Sequence, residues 1–230
     1  MVGRPLQDIF PRRAPKFGRE LLSLHGLGRP GSVKDVSFSV AEGEIVGLYG
    51  LVGSGRTEVA RCVYGADRPR MGEIRVMGRA LRPRSPRDAL RAGIAMLTED
   101  RIGDGLVLGL SIRDNVSLAS FPAISRWGVL DRRRQSALVQ AKVRELDVRP
   151  ADIEQLARKL SGGNQQKVVL AKWLLTHARI LLLDEPTRGV DIGAKKEIYA
   201  TIADLAAHGM GILLISSELQ EILGMCDRTL

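Results

Sequence analysis

An apolar run that leads into a glycine-rich turn constrains the fold of this chain more than any other feature. Residues 45–48 are apolar almost throughout, and residues 57–64 beyond the turn carry apolar side chains at helical spacing. Glycine lets a backbone curl around an anion, and the amides of such a loop and of the following helix N-terminus point at it. The pattern predicts either a phosphate-binding loop or a tight strand-to-helix turn, with candidate ligand-binding residues Gly50, Gly53, Ser54, Gly55, Arg56, Thr57 and Glu58.

The turn departs at one position from the phosphate-loop pattern G-x-x-x-x-G-K followed by Ser or Thr. Arg56 stands where the pattern has lysine, and a planar guanidinium does not replace a compact ammonium one for one. Thr57 keeps the hydroxyl that would bind Mg²⁺. On its own, the turn does not separate the two interpretations.

A second apolar run ends in two adjacent carboxylates. Residues 180–183 are followed by Asp184 and Glu185. At the carboxyl edge of a parallel sheet these side chains would supply a ligand for a hard cation and a potential general base. The alternative is the ordinary solvation of a strand end.

A small-residue segment lies between these two features. Ser161, Gly162, Gly163, Asn164 and Gln165 precede an apolar-faced helical pattern. They predict a second helix terminus able to bind an anion. A serine N-cap followed by a glycine turn is the simpler interpretation of this segment alone.

The remaining periodicity predicts an α/β fold. Short apolar runs typical of half-buried antiparallel strands occur at residues 21–24, 36–40 and 74–77, and the second of them alternates with polar neighbours. Runs typical of parallel strands covered on both faces occur at residues 45–48, 94–97, 180–183 and 212–215. Helical spacing separates them at residues 57–64, 131–146, 165–176 and 194–207.

Composition limits the classes of partner. The 230 residues are 44% hydrophobic and 27% charged, as in a folded globular protein. The net charge of +9 raises the question of an anionic partner, but the basic clusters are modest. Aromatic residues, at 4%, are too sparse for a base-stacking platform, so a solvated surface is favoured over lipid or nucleic acid. Cys62 and Cys226 show no paired spacing, which indicates a reducing compartment.

The first residues differ from the remainder. Residues 1–19 contain Pro5, Pro11 and Pro15 among charged side chains, which predicts a linker, with the folded domain over residues 20–230. No apolar stretch follows the basic start before Leu21, so a secretory signal is not expected and the chain is predicted to stay in the cytoplasm.

The three motifs, in this order, resemble those of the ABC ATPase domain: a phosphate loop, an L-S-G-G-Q signature and an acidic strand. The resemblance implies a P-loop NTPase (RecA-like) core with an antiparallel β subdomain and an α-helical subdomain over about residues 105–160. It also implies ATP and Mg²⁺ as cofactors. In that family two domains form a head-to-tail dimer, with ATP held between the phosphate loop of one and the signature of the other.

Further blocks resemble the second ATPase domain of tandem bacterial sugar importers of the ribose, xylose or galactose type. They are the arginine loop at 53–58, the signature at 161–167, the block 184–199 and the segment 98–106. Met1-Val2-Gly3-Arg4 resembles the junction that follows the first domain of such proteins. The chain stops at Leu230, where the family continues into further strands.

The resemblance implies a role for individual residues. It assigns Glu185 to polarising the attacking water, Asp191 to communication across the dimer, and the metal to Thr57, Asp184 and Glu99. It assigns completion of the partner domain's site to Ser161, Gly162, Gly163 and Gln165.

Two departures from the family bear on turnover, and a third bears on adenine recognition. Glu99 replaces the usual glutamine, Ser217 replaces the switch histidine, and residues 26–31 lack the aromatic ring that stacks on adenine. We therefore expect the chain's own site to bind Mg-ATP and to hydrolyse it slowly or not at all.

The function so implied is that of the ATP-binding subunit of a monosaccharide importer at the cytoplasmic face of the membrane. Its expected partners are a second ATPase domain, fused N-terminally or in a dimer, the membrane permease subunits and, indirectly, a sugar-binding protein. No nucleic acid is expected. Two alternatives stay open: a regulatory nucleotide-binding module without turnover, and a soluble ABC-type ATPase that acts on nucleic acid or ribosomes.

Overall fold

A computed structural model describes residues 9–51 and 53–230. The junction resemblance at Met1–Arg4 and Val52 of the glycine-rich turn lie outside the described residues. The strands are β1 Glu20–Arg29, β2 Val33–Ala41, β3 Ile45–Tyr49, β4 Met71–Val76, β5 Arg79–Leu81, β6 Ile94–Leu97, β7 Ser125–Arg126, β8 Val129–Leu130, β9 Ile180–Asp184, β10 Gly211–Ser216 and β11 Arg228–Thr229.

The α-helices are α1 Arg56–Tyr64, α2 Pro86–Arg91, α3 Ile112–Ser117, α4 Phe121–Ile124, α5 Arg132–Glu145, α6 Gly162–Leu174, α7 Ile192–Ala207 and α8 Leu219–Met225. Short 3₁₀ turns occupy Leu118–Ser120 and Ala157–Lys159, and a π-helical turn occupies Arg101–Gly105. Within the described residues no helix combines the length and the apolarity needed to cross a bilayer.

The three predicted antiparallel strands and β5, which was not predicted, form one four-stranded sheet in the order β2-β1-β4-β5. Leu24 of β1 lies opposite Phe38 on one side and Ile74 on the other, and all three side chains are buried. The alternation at residues 36–40 matches the burial of β2, where Phe38 and Val40 are buried and Ser37 is exposed. Residues 21–24 of β1 are instead all buried.

The four continuous apolar runs all belong to a five-stranded sheet in the order β11-β3-β10-β9-β6. Strand β10 pairs in parallel with β3 on one side and β9 on the other, and every residue of β9 and β10 is buried. Burial on both faces is the reason that these strands are uniformly apolar rather than alternating.

The chain divides into two compact units. The first unit contains the described residues up to Met96, residues 179–186 and residues 199–230, and the second contains residues 97–178 and 187–198. Residues 105–160, for which a helical subdomain is predicted, all fall in the second unit. They include the hairpin of β7 and β8 as well as helices.

Side-chain caps explain where helices α3 and α5 of the second unit begin, and one buried face of α5 explains how it packs. The hydroxyl of Ser111 accepts a hydrogen bond from the amide of Asp114 at 3.1 Å, and the carboxylate of Asp131 accepts one from the amide of Arg134 at 3.0 Å. Both satisfy amides that the first turn of a helix leaves unpaired. The buried face of α5 then follows at four-residue spacing: Gln135, Val139 and Val143.

The segment of residues 9–19, which we call the N-terminal strap, contains no helix or strand but packs against other segments of the first unit. The Phe10 ring lies 5.1 Å from the Tyr199 ring, measured between centroids. Arg13 forms an ion pair with Asp227 at 3.1 Å and donates to the carbonyl of Gly43 at 2.7 Å. Proline explains the absence of regular structure, whereas the linker prediction did not include these contacts.

Candidate functional site

The glycine-rich turn lies between β3 and α1, as its sequence predicts. Gly53 and Gly55 have left-handed φ angles of 86° and 93°, and Gly55 is the N-cap residue of α1. A Cβ on Gly55 would lie 2.3 Å from the carbonyl oxygen of Ser32. Only glycine fits there, both for its backbone conformation and for the close approach of a neighbouring chain segment.

The Arg56 side chain turns inward from the start of α1. It is 9% exposed, and its Nη2 lies 3.7 Å from Oε1 of Glu185. Its Nη1 is buried without a hydrogen-bond partner in the described part of the chain. An unsatisfied buried guanidinium nitrogen is costly, so the turn holds a donor that a bound anion could satisfy.

Asp184, at the end of β9, is the most deeply buried carboxylate of the site. It is 1% exposed, and its Oδ1 has no hydrogen-bond partner among the described residues. The pKa of Asp184 is raised to about 6, chiefly by burial; the hydrogen bond with the Thr57 side chain lowers it and the nearby Glu185 raises it.

Thr57 and Asp184 fit a hard cation. Both present oxygen ligands, and Asp184 Oδ1 is buried and unpaired. No cluster of three or more His, Cys, Asp or Glu side chains able to hold a metal occurs in residues 9–51 and 53–230. Mg²⁺ suits a site with few protein ligands, because Mg²⁺ usually keeps several bound waters and phosphate oxygens complete its coordination shell.

Glu185 follows β9 in a strained backbone conformation with φ 48°. Its Oε1 accepts a hydrogen bond from the amide of Ser217 at 2.8 Å, while its own amide donates to the carbonyl of Ile215 at 2.9 Å. The structure therefore brings Ser217 to Glu185 through the backbone. That contact requires no particular side chain at 217, so the sequence pattern did not indicate it.

The signature segment opens α6 in the second unit. The hydroxyl of Ser161 caps the helix by accepting from the amide of Asn164 at 3.4 Å and from its Nδ2 at 3.0 Å. A Cβ on Gly163 would lie 2.4 Å from the Cβ of Ala194 in α7. Gln165 is buried, and its Nε2 donates to the carbonyl of Ala157 at 3.2 Å. The serine cap of the simpler interpretation is thus present, whereas Gly162 and Gly163 are the first residues of the helix rather than a separate turn.

Glu99 and Asp191 also lie in the second unit. Glu99 forms an ion pair with Arg188. Asp191 precedes α7, and its Oδ1 accepts from the amide of Ala194 at 3.1 Å. Neither Arg188 nor Arg101, which contacts the same turn, carries a role in the sequence analysis. Arg101 lies within residues 98–106, which resemble the family, but within that segment only Glu99 was predicted to have a role.

The geometry thus forms two groups. The first unit brings together the turn, Thr57, Asp184, Glu185 and the amide of Ser217, and Glu58 lies half-buried in the first turn of α1. The second unit holds the signature, Glu99 and Asp191.

Comparison with known proteins assigns the family. Residues 33–188 match the family model described as ABC transporter. The chain belongs to the ABC transporter family. The resemblance that the three motifs predicted is therefore confirmed.

Relatives within the ABC transporter family are similar to this chain along its whole length. Ribose import ATP-binding protein RbsA 3 of Rubrobacter xylanophilus is 50% identical over 230 residues, which is 100% of this chain and 46% of the relative. Ribose import ATP-binding protein RbsA of Bacillus subtilis is 45% identical over 228 residues, which is 99% of this chain and 46% of the relative. The predicted resemblance to sugar-import ATP-binding proteins is confirmed, and the chain spans about half the length of these relatives.

Solved ABC transporter structures confirm the fold class. A nucleotide-free ATP-binding cassette from an ABC transporter superposes with a TM-score of 0.78 at 19% identity, covering 90% of this chain and 85% of that chain. The ADP conformation of an ATP-binding cassette gives a TM-score of 0.76, also at 19% identity, covering 91% and 86%. At this identity the likeness establishes the fold.

Proposed function

We propose that the chain is the ATP-binding subunit, or half of one, of an ABC importer for monosaccharides, and that it couples ATP binding and hydrolysis to uptake. The observation that carries this proposal is the 50% identity to a ribose import ATP-binding protein over the full chain. The importer would place the chain at the cytoplasmic face of the membrane, against permease subunits served by a sugar-binding protein.

The chain's own phosphate loop binds ATP with Mg²⁺. The amides of the loop and of the α1 N-terminus hold the phosphates, with Arg56 as a charged donor and Glu58 in the first helical turn. Thr57 and Asp184 would hold the cation, which would neutralise charge on the phosphate oxygens. Glu99 is a weaker third ligand, because it would have to leave its ion pair with Arg188.

This site turns over slowly. Glu185 is placed to polarise water, but the guanidinium of Arg56 lies 3.7 Å from its carboxylate. The same oxygen, Oε1, also accepts the amide of Ser217, so two donors compete with water for it. The contact supports a degenerate site that retains its base in a weakened state.

The signature serves a partner domain. Ser161, Gly162, Gly163 and Gln165 complete the ATP site on the partner's phosphate loop, and Asp191 communicates between the two sites. The partner is a second ATPase domain, fused N-terminally or bound in a dimer. In this arrangement ATP closes the dimer and hydrolysis reopens it, which drives the permease.

The Arg56–Glu185 contact also favours a second candidate, a regulatory module that binds nucleotide without turnover. The two candidates differ in what the signature does. A regulatory module needs no signature-dependent hydrolysis at a partner loop, whereas an importer subunit requires it.

The test measures Mg-ATP hydrolysis by this chain alone and by its fusion behind an ATPase domain with a lysine phosphate loop. We expect little turnover alone and strong stimulation in the fusion, which Ser161→Arg abolishes because a bulky cation blocks the helix terminus. The exposed substitution Arg133→Lys serves as the control. Stimulation that survives Ser161→Arg contradicts the composite site, and absence of turnover in every combination favours the regulatory module.

A further inference from the structure

One arginine of the second unit connects three separate chain segments. Arg101 begins the π-helical turn Arg101–Gly105. Its Nε donates to Oε1 of Gln165 at 3.5 Å, and its Nη1 and Nη2 donate to the carbonyls of Arg188 and Gly189 at 2.7 and 3.4 Å. The planar fork of a guanidinium can serve several acceptors at once, which a single ammonium does less well.

The guanidinium lies in a slot between two glycines. A Cβ on Gly162, in the signature, would lie 3.0 Å from Nη2 of Arg101, and a Cβ on Gly189 would lie 3.5 Å from Nη1. Arg101 therefore touches both the start of α6 and the turn before α7. A side chain at Gly162 would crowd it.

The turn held by Arg101 has little regular hydrogen bonding of its own. Gly189 has a left-handed φ of 67°, and the amide of Val190 donates to the carbonyl of Thr187 at 3.2 Å. The carbonyls of Arg188 and Gly189 belong to no helix or strand, so the guanidinium supplies their donors. Asp191 comes two residues after Gly189.

Residue 188 is held from two sides. Arg101 binds its carbonyl, while Glu99 pairs with its side chain. Exposed ion pairs contribute little, and the Arg188 and Glu99 side chains are 63% and 41% exposed. The backbone contacts of Arg101 therefore dominate, and Glu99 adds to the same attachment.

We propose that Arg101 is a positioning residue that fixes the signature terminus of α6 to the turn carrying Asp191, so that the two move as one body. The consequence for catalysis rests on the proposed function: the signature reaches the partner's ATP in an orientation set by Arg101.

The first arm of the test is independent of any partner. Arg101→Lys keeps the charge but loses the fork, so the turn and the signature should open more often. Amide hydrogen exchange should accelerate about tenfold at Val190 and at Gln165, whose amide donates to the carbonyl of Ser161 at 2.9 Å. Arg133→Lys, an exposed change in α5, should leave both amides unchanged. Unaltered exchange at both amides in Arg101→Lys overturns the proposal.

The second arm uses the fusion with a lysine-loop ATPase domain. We expect Arg101→Lys to lower kcat for stimulated ATP hydrolysis about tenfold and to change KM by less than about twofold, because the loss is in orientation rather than in nucleotide binding. Accelerated exchange with unchanged kcat refutes the positioning role. A wild-type fusion without stimulation refutes the proposed function instead, and the exchange result still decides whether Arg101 joins the two segments.

Discussion

Nη2 of Arg56 lies 3.7 Å from Oε1 of Glu185, and the two side chains are 9% and 11% exposed. The residue that differs from the phosphate-loop pattern is therefore in contact with the residue assigned to polarise water. Arg56 departs from the pattern and Glu185 follows it. The two residues form one charged pair, so they are not two separate features of the site.

Arg56→Lys should release Glu185. A lysine ammonium is a compact charge that lacks the Nη2 nitrogen approaching Oε1 of Glu185, so this oxygen is left open to a water molecule. In the fusion, with the partner's own loop lysine replaced, we expect hydrolysis at this chain's loop to rise about tenfold in single-turnover assays. The double variant Arg56→Lys/Glu185→Gln should lose the gain. A gain that persists in the double variant contradicts the role of Glu185.

Asp184→Asn should stabilise the metal-free chain at neutral pH. The pKa of Asp184 is raised to about 6 by burial, so its stabilising contribution is present below about pH 4 and is lost as the pH rises through 6. Between pH 4 and pH 7.5 we expect the variant to gain up to about 3 kcal/mol in unfolding free energy over the wild type. Urea denaturation at both pH values measures it. A difference that does not vary with pH would mean that Asp184 is not desolvated.

Lys172 should make the unfolding free energy of the chain rise, rather than fall, as the pH increases towards 10. Burial lowers the pKa of Lys172 to about 8, and its Nζ donates to the carbonyl of Gly105 at 2.6 Å. Its contribution is present above the unfolded pKa and is lost as the pH falls through about 8. From pH 7 to pH 10 we expect the wild type to gain up to about 3 kcal/mol relative to Lys172→Met. Thermal unfolding of both proteins at matched pH provides the measurement, and parallel stability curves would refute it.

Gly224 and Phe10 should be coupled in a double-mutant cycle. A Cβ on Gly224 in α8 would lie 2.4 Å from the Phe10 ring. Gly224→Ala should therefore destabilise the wild type by about 1–3 kcal/mol through overpacking. In the Phe10→Ala background the same change should stabilise by about 0.5–1 kcal/mol, because alanine is the better helix former. Denaturant unfolding of the four proteins tests this, and additive effects would mean that the strap is not seated on α8.

The strands and long helices could be predicted because their signals are local. The uniform apolar character of β9 and β10 indicated a parallel sheet, and the alternation of β2 indicated an antiparallel one. The shorter helices α2, α3 and α8 have 6, 6 and 7 residues. That is too short to establish a period, so they were missed.

The contacts of the site could be predicted only as a set of residue types. Sequence order placed Asp184 and Glu185 at a strand end, but it could not indicate that Arg56 lies beside Glu185 or that the amide of Ser217 donates to it. Arg101 was missed for the same reason, since its acceptors Arg188 and Gly189 are backbone carbonyls, which every residue has.

Gly163 of the signature is constrained by packing as well as by its proposed contact with nucleotide. A Cβ on Gly163 would lie 2.4 Å from the Cβ of Ala194. Loss of activity after a change at 163 does not by itself identify contact with nucleotide, because a displaced α7 would have the same effect. This close approach also sets an order for sequence divergence. Alanine at 163 fits only in a lineage in which the methyl group at 194 has first been lost, because that methyl group occupies the space. The residue at 194 in α7 therefore decides which residues the signature in α6 can accept.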